Sequence, residues 1–216
     1  MNYTIIVLVF IIFMMIYLYY LYMTNTTLTS GVESLNKANE IKWTKLQNPS
    51  SSTYHYEGWV FIKDKPNSNK KIYSRGDGVN LYLNGTTLTV AKTSGGTIYA
   101  TVDDFPLQKW VYFVINVVNG NIIEVYLNGK LVVTKQISPS LTAVSAKTDL
   151  SYGEGSGIEG YITKFKRDPV ALTPDEVWKK YLEGNGLANF SNFLAGYNAS
   201  FSLYNTVGTI KQFTVL

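Results

Sequence analysis

Residues 80–90 read NLYLNGTTLTV, and residues 124–133 read EVYLNGKLVV. In both, an alternating apolar run enters Asn-Gly and a second apolar run leaves it. Both central residues of a type I′ turn need φ > 0, which Asn and Gly adopt at least cost, so each phrase predicts two antiparallel strands joined by a tight turn. Strands are predicted in all at 59–62, 71–74, 81–83, 87–91, 98–102, 110–118, 122–127, 131–136 and 160–167, separated by turn-forming residues. The stretch WVYFVINVV, residues 110–118, is apolar at both parities, as a central strand covered on two faces should be. Beside it Ile123, Val125 and Leu127 alternate with Glu124 and Tyr126, the pattern of a half-buried neighbour. Many short antiparallel strands at this spacing predict an all-β fold, a β-sandwich. One helix closes it: in LTPDEVWKKYLEG, Thr173 is the N-cap, Pro174 takes the first helical position, Glu176 completes a capping box and Gly184 follows the end.

Composition agrees with a β body. The chain has 216 residues, 46 % hydrophobic and 16 % charged, with 17 tyrosines carrying much of a 14 % aromatic share. Aromatic side chains favour strands, and this length buries one substantial core with appendages. The net charge of +4 comes from scattered Lys and Arg, which argues against nucleic acid as a partner. With no cysteine there are no disulfides, thiolate zinc sites or cysteine nucleophiles.

The N-terminus departs from this pattern. Residues 5–23, IIVLVFIIFMMIYLYYLYM, lack charge, Gly and Pro, and as a helix at about 1.5 Å per residue would span roughly 28 Å, the thickness of a bilayer core. A cleaved signal peptide would show a charged start and a small-residue cleavage site. The expectation is a single transmembrane anchor over residues 1–23, marked by Ile5, Phe10, Met15, Tyr20 and Met23, with membrane lipid as a partner and tyrosines at one interface. Residues 24–40 are polar and turn-rich, a linker between anchor and domain. The sandwich then occupies 41–184. Residues 185–216 form a C-terminal extension whose alternation at 197–203 and 209–215 predicts a further hairpin.

The ordered set Trp59, LYLNGTTLTV, LQKWVYFVINV, VYLNGKLVV, YGEGSGIEGYITKF and ALTPDEVWKKYLEG resembles the laminin-G-like branch of the concanavalin A-like lectin and glucanase superfamily. The resemblance implies a jelly-roll of two antiparallel sheets with residues 160–165 in a core strand and the short helix over one end. It does not fix a function. The glucanase branch uses paired carboxylates on one strand, within about 5.5 Å. Here the adjacent acidic pair Asp103-Asp104 precedes Phe105-Pro106 in a loop, and Glu154 and Glu159 flank the Gly-rich run without a third carboxylate, so no enzyme is expected. Calcium, which some members bind, would fall to Asp77, Asn80 and Asp149, residues that equally serve turns. Arg75-Gly76-Asp77 spells the integrin tripeptide against a strand. His55, the single histidine, lacks a second histidine or cysteine beside it and reads as a packed or surface imidazole. Lys63, Lys65, Lys70, Lys71 and Arg75 gather positive charge that is either a solvated face or a contact for lipid head groups or an acidic neighbour. Sequons stand at Asn2, Asn25, Asn84, Asn189 and Asn198.

Two functions follow as expectations. In the first, the chain is a non-enzymatic structural protein. An uncharged anchor joined to a laminin-G-like sandwich is similar in architecture to minor virion proteins of large DNA viruses. That implies a minor capsid component at the virion's internal membrane, its domain facing the shell and its partners the capsid proteins. In the second, the sandwich is a lectin-like surface module binding glycan by stacking on exposed aromatics, with Tyr82, Tyr99, Tyr126 and Tyr152 as candidates.

Overall fold

The computed structural model describes residues 3–24, 27–29, 31–92, 96–155, 157–185, 199–205 and 208–215, with side chains for 7–19, 27–29, 31–92, 96–155 and 157–185. The elements in chain order are α1 (Tyr3–Thr24), β1 (Glu33–Ser34), β2 (Asn39–Ile41), β3 (Tyr54–Ile62), β4 (Lys70–Ser74), β5 (Asn80–Asn84), β6 (Thr87–Ala91), β7 (Ile98–Val102), β8 (Trp110–Val118), β9 (Ile122–Leu127), β10 (Lys130–Gln136), β11 (Leu150–Tyr152), β12 (Gly160–Asp168), α2 (Pro174–Leu182), β13 (Ala199–Asn205) and β14 (Gly208–Val215). One six-stranded sheet runs β1-β12-β3-β8-β9-β10 and the other β2-β11-β4-β5-β6-β7. Every neighbouring pair is antiparallel. The expected two-sheet sandwich is the observed one.

Period-two alternation explains the core. Tyr56, Val60 and Ile62 of β3 and Val111, Phe113, Ile115 and Val117 of β8 point inward from one sheet, to meet Ile72, Leu81, Leu83, Leu88 and Val90 from the other; all are at most 2 % exposed. Tyr56, Tyr73, Phe113 and Phe165 gather at the centre, the closest pair being Tyr56 and Tyr73 with ring centroids 4.4 Å apart. Strand β8 is covered on both faces, as its sequence requires. Its outward Tyr112 and Val114 lie with Trp59, Tyr126 and Leu172 beneath Val177 of α2. The capping box of α2 is present as written in the sequence, with Thr173 N donating to Glu176 Oε2 at 2.7 Å and Glu176 N to Thr173 Oγ1 at 3.4 Å.

The two Asn-Gly phrases make different turns. In β9–β10, Leu127 opposes Lys130, and Asn128 (φ 49°) and Gly129 (φ 79°) are both left-handed, the type I′ pattern. In β5–β6, Asn84 stays in the strand opposite Thr87, and the turn is Gly85-Thr86 with Gly85 at φ 60°. A glycine at the first central position is the type II′ arrangement.

Part of the segment expected as a linker belongs to the sandwich. Leu28 N donates to Phe165 O at 2.7 Å, Thr29 Oγ1 accepts from Phe165 N at 3.2 Å, and Leu35 is fully buried. Strands β1 and β2 add one edge strand to each sheet. Strands β13 and β14 pair with each other as a separate antiparallel hairpin. The expected transmembrane span is not shown: among the described residues no helix is long and apolar enough to cross a membrane. Helix α1 has 22 residues, and the side chains of Ile5, Tyr20 and Met23 lie outside the described set, as do the sequons at Asn2, Asn25, Asn189 and Asn198. Phe10 and Met15 are 69 % and 61 % exposed.

Candidate functional site

A sandwich that does not close into a barrel leaves two edges, and here β7 ends one sheet where β10 ends the other. These strands face each other across the open side. Between them, and under the loop that follows β10, lies a cleft of about 780 Å³ whose lining includes Asp77, Lys92, Tyr99, Lys135, Ser140 and Thr148. The loop is held by bonds from distant parts of the chain. Leu141 N donates to Gly120 O at 2.7 Å, and Ile137 N to Asn121 O at 2.8 Å. Arg75, only 2 % exposed, donates through Nε to Thr148 O at 3.0 Å, through Nη2 to Ser145 O at 3.0 Å and through Nη1 to Pro49 O at 2.6 Å. A buried guanidinium satisfied by three carbonyls is a rigid clamp. Gly78 permits the closest approach, since a Cβ there would lie 2.6 Å from Val144 Cγ2.

Chemically the cleft mixes an aromatic face, hydroxyls and charge. Tyr99 is half-buried, with Ile98 59 % exposed beside it. Burial, and then the nearby Asp77 carboxylate, push the Tyr99 phenol above its usual pKa, so it remains a neutral hydrogen-bond donor. Asp77 stands 3.5 Å from Lys92.

Tyr99 packs in part against the core, and the other tyrosine candidates are more deeply buried. Tyr82 is 6 % exposed on β5. Tyr126 is 1 % exposed beneath α2, where its phenol donates to Glu124 Oε2 at 3.0 Å and is pushed up to about 12 by burial and that carboxylate. Tyr152 is 6 % exposed with its ring 6.0 Å from that of Phe165 in the core. Sugar stacking needs an open ring face, which corrects the expectation for these three. Two of the calcium candidates, Asn80 and Asp149, are engaged in other contacts. Asn80 is buried, accepting from Arg75 N at 2.7 Å and donating to Gly76 O at 3.0 Å and to Lys92 O, which closes the turn before β5. Asp149 accepts from Trp43 N and from Lys42 Nζ, both at 2.8 Å, and the ammonium and that amide lower its pKa. Both already serve contacts within the chain. Burial of Arg75 likewise removes it from any exposed Arg-Gly-Asp display. The acidic residues weighed for hydrolysis serve local contacts too: Asp103 accepts from Thr87 Oγ1 at 3.0 Å, Glu154 from Lys71 N at 2.5 Å, and Glu159 pairs with Lys63 at 2.8 Å.

A second polar cluster, under α2, was missed by sequence reading. His55 and Glu57 of β3 and Asn116 of β8 point away from the core yet are 0–5 % exposed. Glu57 accepts from Tyr112 Oη at 2.5 Å and from Lys180 Nζ at 2.8 Å. Burial raises this carboxyl, but His55, Lys180 and Tyr112 together outweigh it and hold its pKa at about 2. Asn116 donates to Leu172 O at 2.8 Å and accepts from Leu172 N at 3.1 Å, fixing the approach to the helix. The only sequence signal was the His/Glu alternation in YHYEGW.

Two antiparallel sheets, hairpin-linked, with one capped helix on an outer face define a lectin-type jelly-roll. The chain belongs to the Laminin_G_3 family of the concanavalin A-like lectin/glucanases superfamily, whose profile matches residues 35–178. Solved structures share the fold at low identity. The ligand-binding domain of botulinum neurotoxin serotype D in complex with N-acetylneuraminic acid aligns with a TM-score of 0.61 at 13 % identity, covering 73 % of this chain and 43 % of that one. The botulinum neurotoxin DC binding domain in complex with rat synaptotagmin II aligns at 0.54 and 15 %, covering 72 % and 40 %. This chain thus spans less than half the length of either. No curated protein matches it.

Proposed function

We propose that the sandwich is a non-catalytic glycan-binding module whose site is the cleft between β7 and β10. The carrying observation is Tyr99: alone among the four candidate tyrosines it lines an open cleft, with Asp77 and clustered hydroxyls to orient a sugar. Aromatic stacking with a few convergent polar groups is the usual chemistry of such a site. Two ammonium groups, Lys92 and Lys135, against the single carboxylate of Asp77 favour an acidic sugar. The family and the sialic-acid complex of a structural neighbour support this reading. Among the described residues that line the cleft, Asp77 is the one carboxylate. On a glycan array the full-length protein should bind acidic oligosaccharides, and Tyr99→Ala should lose that binding with its melting temperature unchanged. Retention of every sugar by Tyr99→Ala, or of none by the wild type, defeats the proposal.

We further infer that α1 anchors this module to a membrane. Its described side chains, residues 7–19, are apolar and 43–69 % exposed all round the helix, a surface that water does not favour and lipid does. Together with the uncharged run to residue 23 this supports a span. Membrane fractionation with alkaline carbonate extraction tests it: release into the supernatant would exclude an integral anchor. A tether between membrane and capsid shell has no observation of this chain behind it and gives way to the glycan reading.

A further inference from the structure

Period-two alternation on β3 places His55 and Glu57 on one face, and the register sets Asp168 of β12 directly opposite His55. One ligand atom from each of the three lies within 4.8 Å of the other two. The histidine is wholly buried, and its Nδ1 is 2.7 Å from Val170 O. A carbonyl only accepts, so Nδ1 is a donor, and Nε2 is the ring nitrogen left to meet a cation, whether a proton or a metal ion. That atom has no hydrogen-bond partner and faces Glu57 Oε1 at 3.6 Å. A buried ring nitrogen aimed at carboxylates calls for a cation between them. An imidazole whose other nitrogen is pinned to a backbone carbonyl is the arrangement that orients metal-ligating histidines.

We propose that His55, Glu57 and Asp168 bind one divalent transition cation, zinc foremost, on the helix-covered face of the sandwich. One imidazole nitrogen and two carboxylate oxygens are a ligand set suited to zinc, with the fourth position open to water. Bonds of about 2.0–2.1 Å put tetrahedral ligand atoms roughly 3.3 Å apart, so ligand atoms now up to 4.8 Å apart must draw in by up to about 1.5 Å. Two ammonium groups now balance them: Lys180 on Glu57 at 2.8 Å and Lys166 on Asp168 at 2.7 Å. Lys180, whose side chain is 29 % exposed, has a way out to solvent, and the metal takes its place. The site lies on the sheet beneath α2, with its three ligands on β3 and β12.

His55 is the only histidine, so its ring ¹⁵N resonances are identifiable in the full-length protein without mutants. In micelles, after EDTA treatment, titration with ZnCl2 should move the Nε2 resonance to saturation at a single equivalent while Nδ1 stays protonated. By calorimetry His55→Gln should weaken zinc binding by at least about 100-fold and Asp168→Asn by about 10-fold. Lys180→Met, which removes the competing cation, should tighten it. A ring resonance unmoved by zinc, a ring protonated on both nitrogens at pH 7.5, or His55→Gln binding as the wild type would each overturn the site. The ring resonance is read on the wild type, so the test survives a variant that fails to fold.

Discussion

The hairpins at residues 80–91 and 122–136 share the words LYLNG and VYLNG, yet one is interior to its sheet and the other ends its sheet. In β5–β6, moving the turn from Asn84-Gly85 to Gly85-Thr86 shifts the register by two residues. It sets Leu83 against Leu88 and Leu81 against Val90, all at most 1 % exposed; an Asn-Gly turn would have set Leu83 against Thr86. Apolar pairing between two covered strands outweighed the local turn preference. In β9–β10 no such demand competes. Strand β10 is an edge, with Leu131 49 % and Val132 43 % exposed, a bulge between Leu131 and Val133, and Lys130 and Lys135 along it, so the turn follows the dipeptide. Bulges and lysines are also how an exposed edge avoids pairing with another chain. A turn motif thus decides local geometry only where the sheet leaves it free.

Substitutions can break this contrast, the largest first. Leu83→Ala should cost about 2–5 kcal/mol through lost burial and a cavity, whereas Leu131→Ala should stay near or below about 1 kcal/mol. Urea midpoints of the two variants check it, and equal costs would contradict the assigned burial. Behind the second hairpin lies a pH signature that the first lacks. Glu57 is depressed from 4.5 to about 2, so its contribution is present above pH 4.5 and is lost as pH falls toward 2. The loss is on the order of 3 kcal/mol. Glu57→Gln should flatten the stability profile in that window. Among the glycines, Gly129→Ala would bring a Cβ to 2.6 Å from Trp178 Cε3 at φ 79°, while at Gly85 the nearest atom, 3.0 Å away, is the flexible Lys65 Cε. Thermal unfolding should show Gly129→Ala the more damaging, by about 1 kcal/mol or more. Smallest is the asparagine pair. Asn128, left-handed and accepting from Tyr112 N at 3.1 Å, should cost about 1 kcal/mol on replacement by Ala, and exposed Asn84 less than about 0.5 kcal/mol.

The sandwich was legible because burial writes alternation. Strands β6, β7, β8 and β9 have the bounds their sequences predict, and the capping box marks the start of α2. Strand β3 begins five residues before the predicted 59, because His55 and Glu57 are polar and interrupt the apolar pattern, and it is the helix above that buries them. Strands β1, β2 and β11, two or three residues each, are too short to carry a period and exist through pairing with longer neighbours. The cleft was legible least of all. Its roof is a loop tied down by Arg75, about seventy residues away in the chain, and no local pattern announces that three carbonyls will meet one buried guanidinium. Tyr99 was named from composition among four tyrosines, and only the sheet edges show why it differs from the rest.

The central claim is that glycan enters at the open edge between β7 and β10. Hydrogen–deuterium exchange of the full-length protein, with and without the strongest array ligand, locates it directly. Slower exchange confined to β7 and to residues 137–148 is the predicted result. Protection on the covered strands β4 and β5, with β7 and the loop unchanged, would contradict it.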